Sequence, residues 1–261
     1  MKLPFLNRNK PLKIEVAAGT DIGLKRANNE DSYLAIAGEE SPDGLDAVIV
    51  VADGMGGHEA GEVASAMAIE SIRHNLTKRD LNSTLPSGGY CEILGGIIRN
   101  ANSEIYEAGQ TQGHGNMGTT CSALVKINNW LSIAHVGDSR IYLLRDGELR
   151  QITSDHSWVW EQVVAGNISE EEARNHPHKN VITRALGIAS SVQVDVEEVK
   201  VTSGDKILVC SDGLNGPVED AEIQSILAEH EIGKAKDMLI ETAKQNGGDD
   251  NITVAIARVF N

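Results

Sequence analysis

Residues 47–58 read AVIVVADGMGGH, and this stretch decides the fold. Its first six residues, 47–52, form a continuous apolar run rich in Val and Ile, which is typical of a strand buried on both faces. Asp53-Gly54 follows at once, and the glycine removes a side chain so that a backbone carbonyl could face a ligand. The stretch therefore predicts a central strand that ends on a carboxylate.

The same junction of strand and aspartate recurs along the chain. Residues 131–136 run into Gly137-Asp138-Ser139, residues 207–210 run into Ser211-Asp212-Gly213, and Asp249-Asp250-Asn251 precedes the strand predicted at 252–259. One Asp-Gly pair after a strand is usually only a turn, but strand ends that meet at one rim would bring four carboxylates together. Crowded carboxylates repel one another, so such a cluster favours bound cations. Carboxylate and carbonyl oxygens suit Mg²⁺ or Mn²⁺ rather than Zn²⁺.

Strands and helices are predicted on both sides of this stretch. Alternation, apolar runs and turn dipeptides predict strands at residues 14–18, 32–36, 119–127, 130–136, 140–145, 148–152, 192–201 and 206–210. Helical spacing of apolar residues predicts helices at 61–76, 91–108, 220–229 and 234–245. Asn128-Asn129 and Asp146-Gly147 predict tight hairpin turns, and residues 77–89 read as a loop.

This order of elements predicts an α+β fold, an α-β-β-α sandwich of two antiparallel sheets flanked by helices. Residues 13–261 would form one domain after a short N-terminal arm at 1–12. A polar segment at about 157–187, with a possible capping box at Ser169 and Glu172, would be an inserted flap subdomain. His156 and Trp158 open the flap, and we expect them to pack it against the sandwich.

Composition excludes several classes of protein. The formal charge of −15 argues against nucleic acid as a partner, and no apolar run approaches the roughly 20 residues of a membrane span. Three scattered cysteines form no disulfide framework or zinc motif. We therefore expect a cytoplasmic protein without a membrane or nucleic-acid partner, most simply a monomer.

Taken in order, the motifs resemble those of the type 2C metal-dependent Ser/Thr protein phosphatases, and the sequence of residues 53–58 is similar to that of the bacterial branch. The motifs are TDIG (20–23), RANNED (26–31), VADGMGGH (51–58), MGTT (117–120), HVGDSR (135–140), TSDH (153–156), CSDGL (210–214) and GGDDN (247–251). The resemblance covers residue 15 to the C-terminus, and this set of motifs together is highly specific.

The resemblance implies a centre with two to three Mn²⁺ or Mg²⁺ ions. Asp53 would bridge two ions, with the Gly54 carbonyl completing one side and Asp212 and Asp250 holding the other ion. Asp31 would act peripherally or through water, and a third, weaker ion would rest on Asp138 and Asp212. Arg26 matches the phosphate-binding arginine of the family. These parts imply hydrolysis of phosphoserine and phosphothreonine by a metal-bridging hydroxide, in a pathway that reverses a bacterial Ser/Thr kinase.

The proton donor for the leaving group is open. Some members of the family carry a histidine directly after the Asp-Gly pair, where this chain has Met55. His58 is one candidate for this donor, and a metal-bound water is another. His58 could instead form only local hydrogen bonds in its loop. Arg140 is expected to form a structural ion pair, and His176 and His178 are given no role.

Two other functions stay open at this point. A catalytically silent sensor or scaffold could share the fold, although every expected acidic residue is present. A phosphatase could also act on another phosphoryl substrate, such as a phosphorylated anti-sigma antagonist or a phosphohistidine protein. The residues of the centre do not separate these substrates.

Overall fold

The computed structural model describes residues 11–56, 59–78, 89–111 and 117–261. Within these ranges the strands are β1 (Lys13–Asp21), β2 (Asp31–Ala37), β3 (Ala47–Met55), β4 (Gly118–Thr119), β5 (Cys121–Ile127), β6 (Trp130–Val136), β7 (Arg140–Arg145), β8 (Glu148–Gln151), β9 (Asp195–Lys200), β10 (Lys206–Cys210) and β11 (Ile252–Phe260). The α-helices are α1 (Glu59–Lys78), α2 (Gly89–Thr111), α3 (Trp158–Val164), α4 (Glu170–Arg174), α5 (Asp212–Asn215), α6 (Asp220–Glu229) and α7 (Ile232–Gln245).

The strands form two sheets, and every pairing between them is antiparallel. The first sheet has the order β1-β11-β10-β7-β8, and the second has the order β2-β3-β5-β6-β9, with β4 paired to β3. Helices α1 and α2 cover the outer face of the second sheet, and α6 and α7 cover the outer face of the first. The predicted α-β-β-α sandwich is therefore confirmed.

The stretch at residues 47–52 is apolar throughout because both faces of β3 are buried. Val48, Val50 and Ala52 pack towards α1 and α2, while Ile49 and Val51 face the other sheet. Each of these side chains is fully buried, and burying a Val or Ile side chain stabilises the fold by about 1.5–3 kcal/mol. The alternation of faces has period two, as in any strand.

Most predicted boundaries lie within a few residues of the observed ones, with informative differences at the ends. The strand predicted at 119–127 divides at Thr120, because β4 pairs with the end of β3 and β5 begins one residue later. Helix α1 includes Thr77 and Lys78, α2 begins at Gly89, and the rest of the predicted loop at 77–89 lies outside the described residues. None of the helices in the described ranges has the length and apolarity to span a bilayer.

The predicted turns follow their backbone requirements. Asp146 and Gly147, between β7 and β8, have φ angles of 52° and 86°, as a two-residue hairpin turn of type I′ requires. Asn128 has a φ of 54° in the turn between β5 and β6. Between β6 and β7 the chain crosses from one sheet to the other, and Gly137 makes this crossing with a φ of 112°.

Residues 157–187, expected to be a flap, form two short helices outside the sheets. Ser169 caps α4, and the reciprocal hydrogen bonds between Ser169 and Glu172 complete the predicted capping box. Isolated bridges from Ser157 to Ile182 and from Thr119 to Leu186 close the segment on itself and hold it to β4.

Candidate metal centre

Adjacent strands place the first two predicted carboxylates opposite each other. Asp31 begins β2 and pairs in register with Asp53 of β3. Oδ2 of Asp31 accepts hydrogen bonds from Ser211 Oγ at 2.7 Å and Thr253 Oγ1 at 2.6 Å. Thr253 lies in β11 of the first sheet, and Ser211 directly follows β10 of the same sheet. Asp31 thus ties the two sheets together at their rim, while its Oδ1 is buried and has no hydrogen-bond partner among the described residues.

The backbone of Asp53 is fixed by two threonines that carried no role in the sequence analysis. Thr120 Oγ1 accepts from the Asp53 N–H at 2.9 Å, and the Thr120 N–H donates to the Asp53 carbonyl at 2.8 Å. Thr119 Oγ1 donates to the same carbonyl at 2.9 Å. These three bonds therefore fix the backbone at the end of β3 that carries the Asp53 carboxylate.

Asp138 reaches the cluster from the crossing between the sheets, and Asp212 reaches it from the first sheet. Asp138 follows Gly137 in the crossing turn, and Asp212 is the first residue of α5, directly after β10. Oδ1 of each is buried, and the described part of the chain offers it no hydrogen-bond partner. The charge of Asp212 acts to raise the pKa of Asp53, so the two side chains lie near each other and the two strand ends do converge.

Burial and mutual repulsion shift the acidity of this cluster. Burial, with repulsion from Asp212 and Asp250, raises the pKa of Asp31 to about 7, although the bonds from Thr253 and Ser211 oppose it. Burial and the charge of Asp250 raise the pKa of Asp212 to about 6. Burial, then Asp31 and Asp212, raises the pKa of Asp53 well above its usual range. Burial and then Asp212 do the same for the pKa of Asp138.

Arg26 and Asp250 form the open side of the cluster. Nη2 of Arg26 donates to Asp250 Oδ2 at 2.6 Å, and half of the arginine side chain is exposed. Partial burial acts to lower the pKa of Arg26, but the bond to Asp250 raises it overall. In the described part of the chain, Nη2 is the one group of this guanidinium that donates to a protein acceptor.

Asn251, which the sequence analysis quoted only as part of a motif, holds the segment that carries Arg26. Its Nδ2 donates to the carbonyls of Ile22 and Asn28, and its Oδ1 accepts from the Glu30 N–H at 2.8 Å. Both Nδ2 and Oδ1 of this buried amide therefore form hydrogen bonds. In the sequence, the position of Asn251 between two acidic residues and a buried strand could have indicated this role.

Gly54 lies where three backbone segments meet. A Cβ at this position would lie 2.1 Å from the Gly61 carbonyl oxygen and 2.6 Å from that of Glu30, which no side chain tolerates. Only glycine fits here, because α1 and the chain before β2 approach Gly54 so closely. This packing requirement is separate from the access to the Gly54 carbonyl expected from the sequence.

The other residues singled out in the sequence lie elsewhere. Arg140 forms a two-pronged ion pair with Asp155, with bonds of 2.7–3.1 Å, and is the structural ion-pair residue expected. The rings of His176 and His178 pack on Trp158 within the flap. His58 lies outside the described residues.

The residues present fit hard divalent cations by donor type. In the described ranges, no three His, Cys, Asp or Glu side chains are arranged closely enough to hold one metal ion together. Three carboxylate oxygens, on Asp31, Asp138 and Asp212, are nevertheless buried with no hydrogen-bond partner in the part of the chain that the structure describes. Such groups are costly unless a ligand satisfies them, and oxygen donors of this kind suit Mg²⁺ and Mn²⁺.

Comparison with known proteins identifies a family that this chain resembles over most of its length. The model of the family "Protein phosphatase 2C" matches residues 24–251. The serine/threonine protein phosphatase PstP of Mycobacterium tuberculosis is 41% identical over 251 residues, which are 95% of this chain and 45% of PstP. The chain therefore spans less than half the length of that relative. Protein phosphatase PhpP of Streptococcus pneumoniae is 37% identical over 93% of this chain and 96% of its own length.

One solved structure with the same fold contains manganese ions. The catalytic domain of PstP in complex with two manganese ions is 40% identical and superposes with a TM-score of 0.82, over 96% of this chain and all of that one. The likeness therefore extends over the whole sandwich and includes the strand ends that carry the carboxylates.

Proposed function

Since the chain belongs to the protein phosphatase 2C family, we propose that it hydrolyses phosphoserine and phosphothreonine on proteins with the help of two to three Mn²⁺ or Mg²⁺ ions. The observation that carries this proposal is the cluster of carboxylates beside a half-exposed arginine, in which three buried oxygens have no hydrogen-bond partner within the described ranges. Residues 13–261 form the catalytic domain in this proposal, with 157–187 as its flap.

The acidic residues divide into ligands and supports. Asp53, the Gly54 carbonyl, Asp212 and Asp250 would hold two ions, with Asp31 beside them. Asp138 with Asp212 would hold a third ion. Bound divalent cations supply Lewis acidity that brings the pKa of water towards neutrality and offset the charge of a phosphate.

The chain's own residues supply position and the remaining charge. Arg26 presents a planar fork suited to two phosphate oxygens, and Asp250 holds that fork at the rim by one hydrogen bond. Thr119 and Thr120 keep the Asp53 backbone in place. Hydrolysis of a phosphate ester depends mainly on such positioning and on electrostatic stabilisation.

The relatives bear on partners at a coarse level. Proteins named serine/threonine phosphatases in bacteria support a phosphoprotein substrate and a kinase pathway that this chain opposes. A cytoplasmic location, a monomeric state and the lack of a nucleic-acid partner stay predictions from the sequence. The role of His58 as proton donor also stays a prediction.

The test is an assay of p-nitrophenyl phosphate and a phosphothreonine peptide with Mn²⁺, Mg²⁺ or EDTA. We expect turnover that requires the metal and falls at least about 100-fold in Asp53→Asn and Asp212→Asn, since electrostatic stabilisation of this kind is usually a large contribution. Asp237→Asn changes an exposed aspartate of α7 that forms an ion pair with its neighbour Lys236, and it should keep full activity.

Three results would contradict the proposal. One is turnover that persists in EDTA, the second is full activity in Asp53→Asn, and the third is a wild-type protein that binds Mn²⁺ but hydrolyses neither substrate. The last result would favour the silent sensor. Turnover of p-nitrophenyl phosphate without turnover of the peptide would favour another phosphoryl substrate.

A further inference from the structure

His156, at the start of the flap, is bonded twice to the turn that carries Asp138. Its N–H donates to the Gly137 carbonyl at 2.7 Å, and its Nδ1 accepts from the Gly137 N–H at 3.0 Å. The histidine is 4% exposed. Gly137 is the residue directly before Asp138, so both bonds act on the backbone that sets the direction of the Asp138 carboxylate.

The crossing turn has no side chain of its own at Gly137 to fix its conformation. Gly137 has a φ of 112°, and a Cβ there would lie 2.6 Å from the Thr120 side chain, so only glycine fits. Glycine has the largest backbone freedom of all residues. The imidazole of His156 supplies the constraint that a side chain at this position would otherwise give.

The tautomer of His156 follows from its partners. Because Nδ1 accepts from Gly137, the proton of the neutral ring is on Nε2, which then donates to Asp195 Oδ2 at 3.0 Å. Arg184 Nη1 donates to the other oxygen of Asp195 at 3.0 Å. Arg184 also lies 3.2 Å from Nε2, but both atoms carry hydrogen, so this contact is not a hydrogen bond.

These bonds join three parts of the molecule at one histidine. Asp195 begins β9, the edge strand of the second sheet, and Arg184 belongs to the far end of the flap. The Thr183 N–H donates to the His156 carbonyl at 2.8 Å. His156 therefore connects both ends of the flap and the start of β9 to the turn before Asp138.

We propose that His156 is a positioning residue that orients Asp138 for cation binding through its Nδ1 bond to Gly137, and that Asp195 holds the imidazole in the required tautomer and orientation. This inference rests on the proposed function, since Asp138 is a proposed ligand of the third ion. Groups that orient metal ligands typically contribute roughly 10–100-fold to metal affinity.

The test compares two substitutions that each keep one half of the histidine. The Oδ1 of Asn lies where Nδ1 lies, so His156→Asn can keep the Gly137 bond and loses the Asp195 bond. The longer Gln of His156→Gln can reach Asp195 and loses the Gly137 bond. Mn²⁺ binding is measured by the electron paramagnetic resonance signal of free Mn²⁺, with folding checked by circular dichroism.

We expect His156→Gln to weaken the weakest class of Mn²⁺ sites about 10–100-fold and to leave the tighter classes unchanged. His156→Asn should stay within about threefold of the wild type, because it preserves the bond to the turn. His176→Asn is the matched control, since His176 is a flap histidine whose contacts lie within the flap, and it should change nothing.

Asp195→Ala keeps the test decisive if His156→Gln does not fold. Asp195 is nearly half exposed, so its removal leaves little buried volume, and we expect weaker Mn²⁺ binding in the same class. Unchanged affinity in a folded His156→Gln overturns the inference, as does unchanged affinity in Asp195→Ala where His156→Gln does not fold. An equal loss in the Asn and Gln variants also overturns it. Wild-type protein without Mn²⁺ binding would instead contradict the proposed function.

Discussion

Burial sets the chemistry of the carboxylates that lie between the sheets. Asp31 and Asp138 are almost wholly buried. Asp53 and Asp212 keep some exposed surface, although Oδ1 of Asp212 is buried. Charged groups in such surroundings repel one another and lose hydration. The metal-free centre is therefore a source of strain that protons or cations relieve.

The first prediction concerns Asp31 in the metal-free protein. Its pKa is raised to about 7 in the folded state, so the folded protein retains a proton that the unfolded chain loses near pH 4. The stabilising contribution is complete below about pH 4 and is lost as pH rises to about 7. In EDTA, we expect Asp31→Asn to gain stability over the wild type across this window, by up to about 1.4 kcal/mol per pH unit.

Urea denaturation at several pH values measures this difference. The Oδ1 of Asn can still accept from Ser211 and Thr253, so the substitution chiefly removes the charge. Asp237→Asn, on the exposed face of α7, should follow the wild type at every pH. Parallel pH profiles for Asp31→Asn and the wild type would disprove the assignment of the strain to Asp31.

At the scale of elements, the centre depends on how strands end. β3 continues past Ala52 to Met55 because β4 pairs with Gly54 and Met55, so Asp53 lies within a strand and not in a loop. Gly54 then passes so close to the Gly61 and Glu30 carbonyls that α1 and the chain before β2 pack directly on it. The glycine of the Asp-Gly pair is thus a packing requirement of two elements.

The second prediction tests this packing. Gly54→Ala should destabilise the fold by at least about 1–3 kcal/mol, since the new methyl group meets backbone atoms that cannot rotate away. Gly233→Ala is the matched control, because a Cβ there meets nothing within 4 Å and the residue lies in α7. It should stabilise by up to about 1 kcal/mol. Midpoints of urea denaturation measure both, and a Gly54→Ala protein as stable as the wild type would refute the argument.

At the scale of the whole molecule, the centre exists only when the two sheets are stacked. Asp53 comes from the second sheet, Asp212 and Asp250 flank strands of the first, and Asp138 lies in the crossing between them. The bonds from Ser211 and Thr253 to Asp31 join the same two layers. Cation binding and folding are therefore thermodynamically linked.

The third prediction follows from this linkage. Mn²⁺ at about 100 times its dissociation constant should add about 2.7 kcal/mol per independent site to the free energy of unfolding. Differential scanning calorimetry at pH 7.5 should show a higher Tm with Mn²⁺ than with EDTA, reversed by chelation. Asp212→Asn should lose most of this gain, and a gain that is equal in the variant would place the ions elsewhere.

The sequence by itself determined the elements and the identity of the carboxylates. Period-two and helical spacing report which residues of an element are buried, so the apolar run at 47–52 and the aspartates after the strands were evident from local pattern. The family motifs then gave their expected roles. These properties belong to neighbouring residues in the chain, and they need no knowledge of which strand ends meet.

Only the tertiary structure decided what supports those carboxylates. Ser211 lies 180 residues from the Asp31 that it bonds, and Thr253 lies 222 residues away. Thr120 and His156 act on backbone groups of residues far from them in the chain. Hydroxyl, amide and imidazole groups look alike in sequence whether they face solvent or a buried partner, because their partner is set by the stacking of the two sheets.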